Sequence, residues 1–353
     1  MMKLSAKKWL FTGLALVIAF IMILSLTVYI IDPFFQFRVK DNSYMLNGQF
    51  VSPGLIKNYD YDTFILGSSM TQNFDMNVFR QELGVKPLHI GIGGIRASEE
   101  KALLDLAYET GRAKNYYICA EMHLFTADSE ESRIPEYLIE DDLLSRMRYF
   151  LNYEAWFRYM PVDVGFMTLD KIGISQPQKF QYSKSIDRLE DWRLDFEFGE
   201  EIVLANRKSG EYNVSNVDMT DIYNRMTKRI DEYFDGLQLD KGEHTFFFAP
   251  YSMLYWAERT DELVDALLYG KRYFIEKAWE RGITVYDFQT ADFTTDLNNY
   301  KDVTHYTPEI NDWMTKCFAT GEYIVTSQNY GEHEAKLVSM RAEFRETHSE
   351  LFR

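Results

Sequence analysis

Between residues 60 and 120, short apolar runs alternate with helical patterns, and that alternation restricts the fold more than any other feature. Thr63–Leu66 is apolar and partly β-branched, as a buried strand requires. Gly67-Ser68-Ser69 breaks the run, and Asp75–Leu83 follows with Met76, Phe79 and Leu83 at helical spacing. Val85–Ile92 is a second strand-type run, ending among Gly91, Gly93 and Gly94. Ser98–Thr110 is helical through Leu103, Leu104, Ala107 and Tyr108, and Tyr116–Ala120 is a third run. Strand, helix, strand, helix, strand at this pitch implies parallel strands joined by right-handed crossovers. Thr245–Ala249 and Ile283–Phe288 are the expected fourth and fifth strands, and Thr220–Leu237, Asp261–Arg281 and Glu309–Ala319 are expected helices. Thr307 and Pro308 stand where the last of these takes its cap and its first residue. The fold class expected is α/β.

Trp9–Ile31 carries no charged side chain and exceeds the roughly 20 residues that cross a bilayer. Lys3, Lys7 and Lys8 precede it, so residues 1–8 are expected in the cytoplasm and the remainder outside. Tyr29–Phe37 has no small-x-small cleavage pattern, so the run reads as an uncleaved anchor. The chain is thus expected to be a single-pass cell-membrane protein with an extracytoplasmic domain. A net charge of −16 argues against a nucleic-acid partner.

Residues 32–60, with Pro33, Gly48, Pro53 and Gly54, read as a stalk. Residues 61–325 form the α/β domain, interrupted at 126–200 by a charged, aromatic, mostly helical insertion able to cap a site. Lys208–Val217 reads as loop, and 326–353 as a C-terminal surface helix with Leu337, Met340 and Phe344 on one side. Cys119 and Cys317 allow at most one disulfide, and Cys119 reads as a buried small hydrophobe.

The chemistry is expected where the first strand ends. Open α/β sheets place ligands at the carboxyl ends of their strands. Ser69 there has an exposed hydroxyl and the backbone N–H groups of a helix start beside it, two parts of an acyl-transfer site. Asp302 and His305, three residues apart before the last core helix, supply an orienting carboxylate and a base. The N–H groups of Ser69 and Gly94 are the expected oxyanion donors. Pro250-Tyr251-Ser252 follows a strand and so falls near this site. His89, His244, His333 and His348 show no metal-ligand spacing, and neither a metal nor a cofactor is expected.

These pieces resemble the SGNH/GDSL-type hydrolase superfamily over about residues 60–320, and more closely its membrane-anchored branch that modifies cell-surface polymers. The family's Gly-x-Ser block is similar to Gly67-Ser68-Ser69, with Ser69 as nucleophile; Ser68, in place of the commoner aspartate, also fits the anchored branch. Its second block resembles IGIGGI, with Gly94 as the oxyanion glycine and Gly93 the next match, and its D-x-x-H block resembles Asp302-Val303-Thr304-His305. The third block departs: the Gly-x-Asn is replaced by Ala120-Glu121-Met122-His123, where His123 is either a substitute donor or part of a capped strand end. The resemblance implies a three-layer α/β/α, flavodoxin-like sheet domain with a Ser-His-Asp triad. Ser68 and His123 from these blocks are expected on the substrate side, and Tyr251 and Ser252 by their position after a strand, with packing as the alternative for the last two. The implied activity is that of a cell-envelope esterase or O-acyltransferase. It would act on an acylated glycan or teichoic-acid-type polymer, as in D-alanylation, with a membrane-bound O-acyltransferase as partner. The competing expectation is a binding or assembly protein of the same fold that partners such an acyltransferase and does little chemistry.

Overall fold

In the computed structural model, residues 6–40, 47–126, 131–174, 196–207 and 219–352 are described. The expected loop at Lys208–Val217 and much of the 126–200 insertion, residues 127–130 and 175–195, lie outside the described residues. Six strands make one sheet: β1 (Thr63–Gly67), β2 (Pro87–Gly91), β3 (Asn115–Cys119), β4 (Glu243–Phe248), β5 (Thr284–Asp287) and β6 (Ile324–Val325). Their spatial order is β2-β1-β3-β4-β5-β6, with β1 to β5 parallel and β6 antiparallel to β5. The first five follow the doubly wound order 2-1-3-4-5, whose direction of winding reverses between β1 and β3. Every residue of β1 and β2 is buried, which explains the apolar run of β1 and the Leu88 and Ile90 that flank His89 in β2.

The helices in chain order begin with α1 (Ala6–Ile31), α2 (Gly48–Asn58), α3 (Met76–Leu83), α4 (Ala97–Thr110) and the short α5 (His123–Thr126). Next come α6 (Glu136–Ile139), α7 (Leu143–Phe150), a π-helical turn (Ala155–Tyr159), α8 (Met160–Lys171) and α9 (Glu200–Asn206). The series ends with α10 (Met219–Asp235), α11 (Met253–Ala257), α12 (Asp261–Glu280), α13 (Pro308–Thr320) and α14 (Tyr330–Thr347). Local chemistry sets several boundaries. The Asp75 side chain accepts the Asn77 N–H at the start of α3, and Gly84, at φ +69°, ends it in the left-handed region. Pro308 takes the first position of α13, but Thr307 makes no side-chain cap.

By contacts, the chain divides into two compact units. One holds the described residues of Asp60–Ser132 and Ile186–Arg353, and with them the whole sheet. On it, Leu337 and Phe344 of α14 are buried and Met340 is half-buried.

The other unit holds the described residues of Met1–Tyr59 and Arg133–Ser185, so the middle of the insertion groups with the N-terminal segment and its two ends with the sheet. Here the stalk expected at 32–60 is corrected. Val51, Leu55 and Ile56 of α2 are fully buried, and the Asn47 side chain caps that helix by accepting the Gln49 N–H. Gly54 is required by close approach, because a Cβ there would fall 2.0 Å from the Phe34 carbonyl oxygen. Asp32, also fully buried, binds the chain just after α1: its carboxylate accepts the N–H groups of Gln36, Phe37 and Arg38 and the Tyr149 hydroxyl. Burial raises the Asp32 pKa against the pull of those donors. Arg38 donates to the carbonyls of Tyr29 and Ile30 and Lys40 to those of Ile30 and Ile31, satisfying the last turn of α1. Helix α1 is long and apolar enough to cross a membrane.

Candidate active site

Ser69 opens a single 3-10 turn, Ser69–Thr71, directly beyond β1. The turn is tight because Gly67 permits it: a Cβ there would meet the Thr71 side chain at 2.5 Å and Cys119 Cβ at 2.8 Å. The Thr71 N–H and hydroxyl both donate to the Ser68 carbonyl, at 3.1 and 3.0 Å. The hydrogen of that hydroxyl being used, His89 Nε2 must donate to Thr71 Oγ1 across 3.0 Å. Burial holds the His89 pKa down to about 3, so the ring is neutral.

The Asp302–His305 segment is a reverse turn closed by a bridge between Tyr300 and Tyr306 and by the Lys301 N–H on the His305 carbonyl, 2.9 Å. The chain beyond β4 holds it. Ser252 donates both its N–H and its hydroxyl to the Val303 carbonyl, at 3.1 and 2.7 Å, and the Tyr300 hydroxyl donates to the Pro250 carbonyl.

These two turns bring the expected catalytic residues into one relay. Ser69 Oγ lies 2.8 Å from His305 Nε2, and His305 Nδ1 lies 2.7 Å from Asp302 Oδ2. Burial pushes the Asp302 carboxyl up, but the His305 imidazole and the backbone N–H groups of His305 and Thr304 outweigh it. The carboxyl is therefore held well below the usual carboxylate range. An ionised Asp302 only accepts, so the imidazole hydrogen sits on Nδ1 and Nε2 faces the serine as a base.

The second-block glycines come alongside by strand register. Gly67 pairs with Gly91, and the Ile92 N–H donates to the Gly67 carbonyl at 3.0 Å. Gly93 and Gly94 follow as an exposed turn in which Gly94 has φ +56°. The Ser69 N–H, the orphan donor of a helix start, meets no acceptor among the described residues.

The four residues expected on the substrate side are placed differently from one another. Ser68 is buried and its hydroxyl accepts the Met70 N–H. Ser252 is fully buried on Val303, as above. Tyr251 is buried and its hydroxyl donates to Glu121 Oε2 at 2.8 Å. His123 alone is well exposed, with Nδ1 3.5 Å from the same Glu121 oxygen. At the third-block position the structure therefore buries a carboxylate, whose Oε1 has no hydrogen-bond partner among the described residues.

Sequence reading missed the clamp on the Ser69 turn. The Tyr306 hydroxyl and the Asn311 amide both donate to the Met70 carbonyl, at 2.7 and 3.2 Å. Only the position of Tyr306 beside His305 signalled it. Both cysteines are buried and free. Among the described residues no group of three or more His, Cys, Asp or Glu side chains is arranged to hold a metal. No protein-family model and no curated protein matches the chain.

Proposed function

We propose that this chain is a serine acyl-esterase or O-acyltransferase of the SGNH/GDSL type. It is anchored by α1 as a transmembrane helix, with the N-terminus cytoplasmic and the sheet domain extracytoplasmic. Its sheet is the middle of three layers, a reading supported by strands buried on both faces. The observation that carries the proposal is the unbroken relay from Ser69 Oγ through His305 to Asp302.

In this reading Ser69 Oγ attacks the carbonyl carbon of an ester while its proton passes to His305 Nε2. Asp302 stabilises the imidazolium that forms. The Ser69 and Gly94 N–H groups receive the oxyanion, each such donor contributing about 3 kcal/mol in the transition state. The ester C–O bond then breaks as His305 returns the proton to the departing alkoxide, leaving an acyl-serine. Water gives hydrolysis, and a sugar or polyol hydroxyl gives transfer; His305 accepts the proton of either. The substrate class is an acylated cell-envelope polymer of glycan or teichoic-acid type, and the reaction needs no cofactor. A fluorophosphonate probe should label the full chain, and Ser69→Ala should lose both the label and all p-nitrophenyl ester turnover. A label that persists on Ser69→Ala rejects the proposal.

Glu121 favours a second reading, an assembly partner of a membrane-bound O-acyltransferase. The Glu121 side chain has no amide N–H to give an oxyanion, unlike the asparagine of the resembled block. Equal ester turnover by the wild-type chain and His305→Ala would select it.

A further inference from the structure

A helix that faces water turns its polar side outward. Helix α7 is inverted. Its inward residues Ser145 and Tyr149 are buried, while Leu143, Leu144, Met147 and Leu151 occupy the opposite side, Leu143 being 76% exposed. Arg146 and Arg148, both exposed, border that side to left and right. The next segment repeats the arrangement. Tyr153 and Phe157, four residues apart and 71% and 60% exposed, pack their rings 5.1 Å from each other, opposite the buried Ala155 and Tyr159.

This apolar face is joined to α1. Helix α1 touches α7, the π-helical turn and α8, and the Tyr149 hydroxyl donates to Asp32, the residue that follows α1. Helix α7 is therefore packed beside the end of α1, with its apolar face turned away from that contact. An apolar face with arginines at its margins and aromatic rings beside it has the composition of a helix lying in a lipid interface. On such a layer the aliphatic side chains enter the acyl boundary and Arg148 reaches the phosphates, while Arg146 is held by Asp141 at 2.8 Å.

We propose that α7 and the segment from Tyr153 through the π-helical turn form a second membrane contact. It lies in the interfacial layer of the leaflet from which the C-terminal end of α1 emerges. This rests on the reading that α1 spans the bilayer, and the experiment separates the two. The full chain is reconstituted in phosphatidylcholine–phosphatidylglycerol vesicles with one nitroxide at Leu144→Cys, Met147→Cys or Phe157→Cys. Ile18→Cys reports α1, Glu136→Cys is the solvent-exposed control, and the unsubstituted chain, whose cysteines are buried, is the blank. Collision with oxygen should exceed collision with a nickel chelate at 144, 147 and 157, as at 18, and the ratio should reverse at 136. Oxygen preference at 18 with nickel preference at the three test sites overturns the second contact and leaves the span intact. Shielding of the three sites from both reagents, with 18 still lipid-exposed, also overturns it, in favour of a second copy of this chain or another protein. Nickel preference at 18 rejects the span and the inference with it.

Discussion

The phenol of Tyr306 donates to the carbonyl oxygen of Met70 across 2.7 Å, and so ties the residue after His305 to the residue after Ser69. The two turns come from opposite ends of the sheet domain's sequence, 236 positions apart, yet they bring Ser69 Oγ within 2.8 Å of His305 Nε2. The Tyr306–Met70 bond fixes that approach without touching the reacting atoms. Burial pushes the Tyr306 pKa well up, which keeps the phenol a donor.

Tyr306→Phe keeps the ring and removes the donor, while Asn311 remains on the Met70 carbonyl. Small displacements of a nucleophile cost roughly tenfold to a hundredfold in rate. The variant should therefore lose that factor in kcat for a p-nitrophenyl ester, with KM little changed and about 1 kcal/mol of stability lost. An unchanged kcat would show that the clamp plays no part in positioning Ser69.

Asp302→Asn tests the tautomer. The carboxylate accepts from Nδ1 and from the backbone N–H groups of Thr304 and His305. An asparagine that turns its NH2 toward Nδ1 puts the imidazole hydrogen on Nε2, where it faces Ser69 and cannot act as base. A fall in kcat on the order of 10⁴-fold is expected, with retained folding. Fluorophosphonate labelling should slow in parallel; labelling at the wild-type rate would remove Asp302 from the relay.

Strands β1 to β5 were legible because each carries a short apolar or aromatic stretch that the sheet buries, as in Thr63–Leu66 and Phe246–Phe248. Ser69, Asp302 and His305 were legible because a strand-end serine and a D-x-x-H each carry a local signature. What the sequence concealed was mostly long-range. Asp32 and Tyr149 are 117 positions apart, and nothing at either position announces their bond. Pro53 and Gly54 mark loops by composition, yet both lie inside α2, because the backbone at Phe34 presses on Gly54. Strand β6 has two residues, too few to show a period. Ser252 was expected on the substrate side, and its hydroxyl instead grips the Asp302–His305 turn through Val303.

Glu100 predicts a pH dependence of stability. It lies buried on α4, with the Tyr233 hydroxyl of α10 donating to it at 2.6 Å. Burial pushes its pKa up to about 7; the Tyr233 bond opposes this, and the charge of Glu121 adds to it. The folded chain therefore holds this proton more tightly than the unfolded chain, whose carboxyl titrates near 4.5. That contribution is fully present below pH 4.5 and is lost as pH rises to about 7, on the order of 3 kcal/mol in all. Glu100→Gln keeps an acceptor for Tyr233 and abolishes the titration. Urea midpoints measured from pH 5 to pH 8 should fall more steeply for the wild-type chain than for Glu100→Gln; equal slopes would place the titrating group elsewhere.

Lys271 of α12 carries the clearest cost of a buried charge. Its Nζ donates to Asp287 at 2.8 Å and to Gln289 at 2.7 Å, and the Lys271 and Asp287 side chains are each 1% exposed. Burial lowers the Lys271 pKa and the adjacent Asp287 charge opposes that shift. Lys271→Met fills the same space but strands the Asp287 carboxylate, so the loss should be about 3–5 kcal/mol. The double variant Lys271→Met/Asp287→Asn removes both charges. It also keeps the side-chain oxygen that accepts the Gln289 N–H at the end of β5. Chemical denaturation should place it well above the single variant in stability, because the penalty comes from the unpaired charge. Equal stability of the single and double variants would instead assign the loss to packing against the Phe248 and Trp256 rings, whose centroids lie 5.0 and 5.9 Å from Nζ.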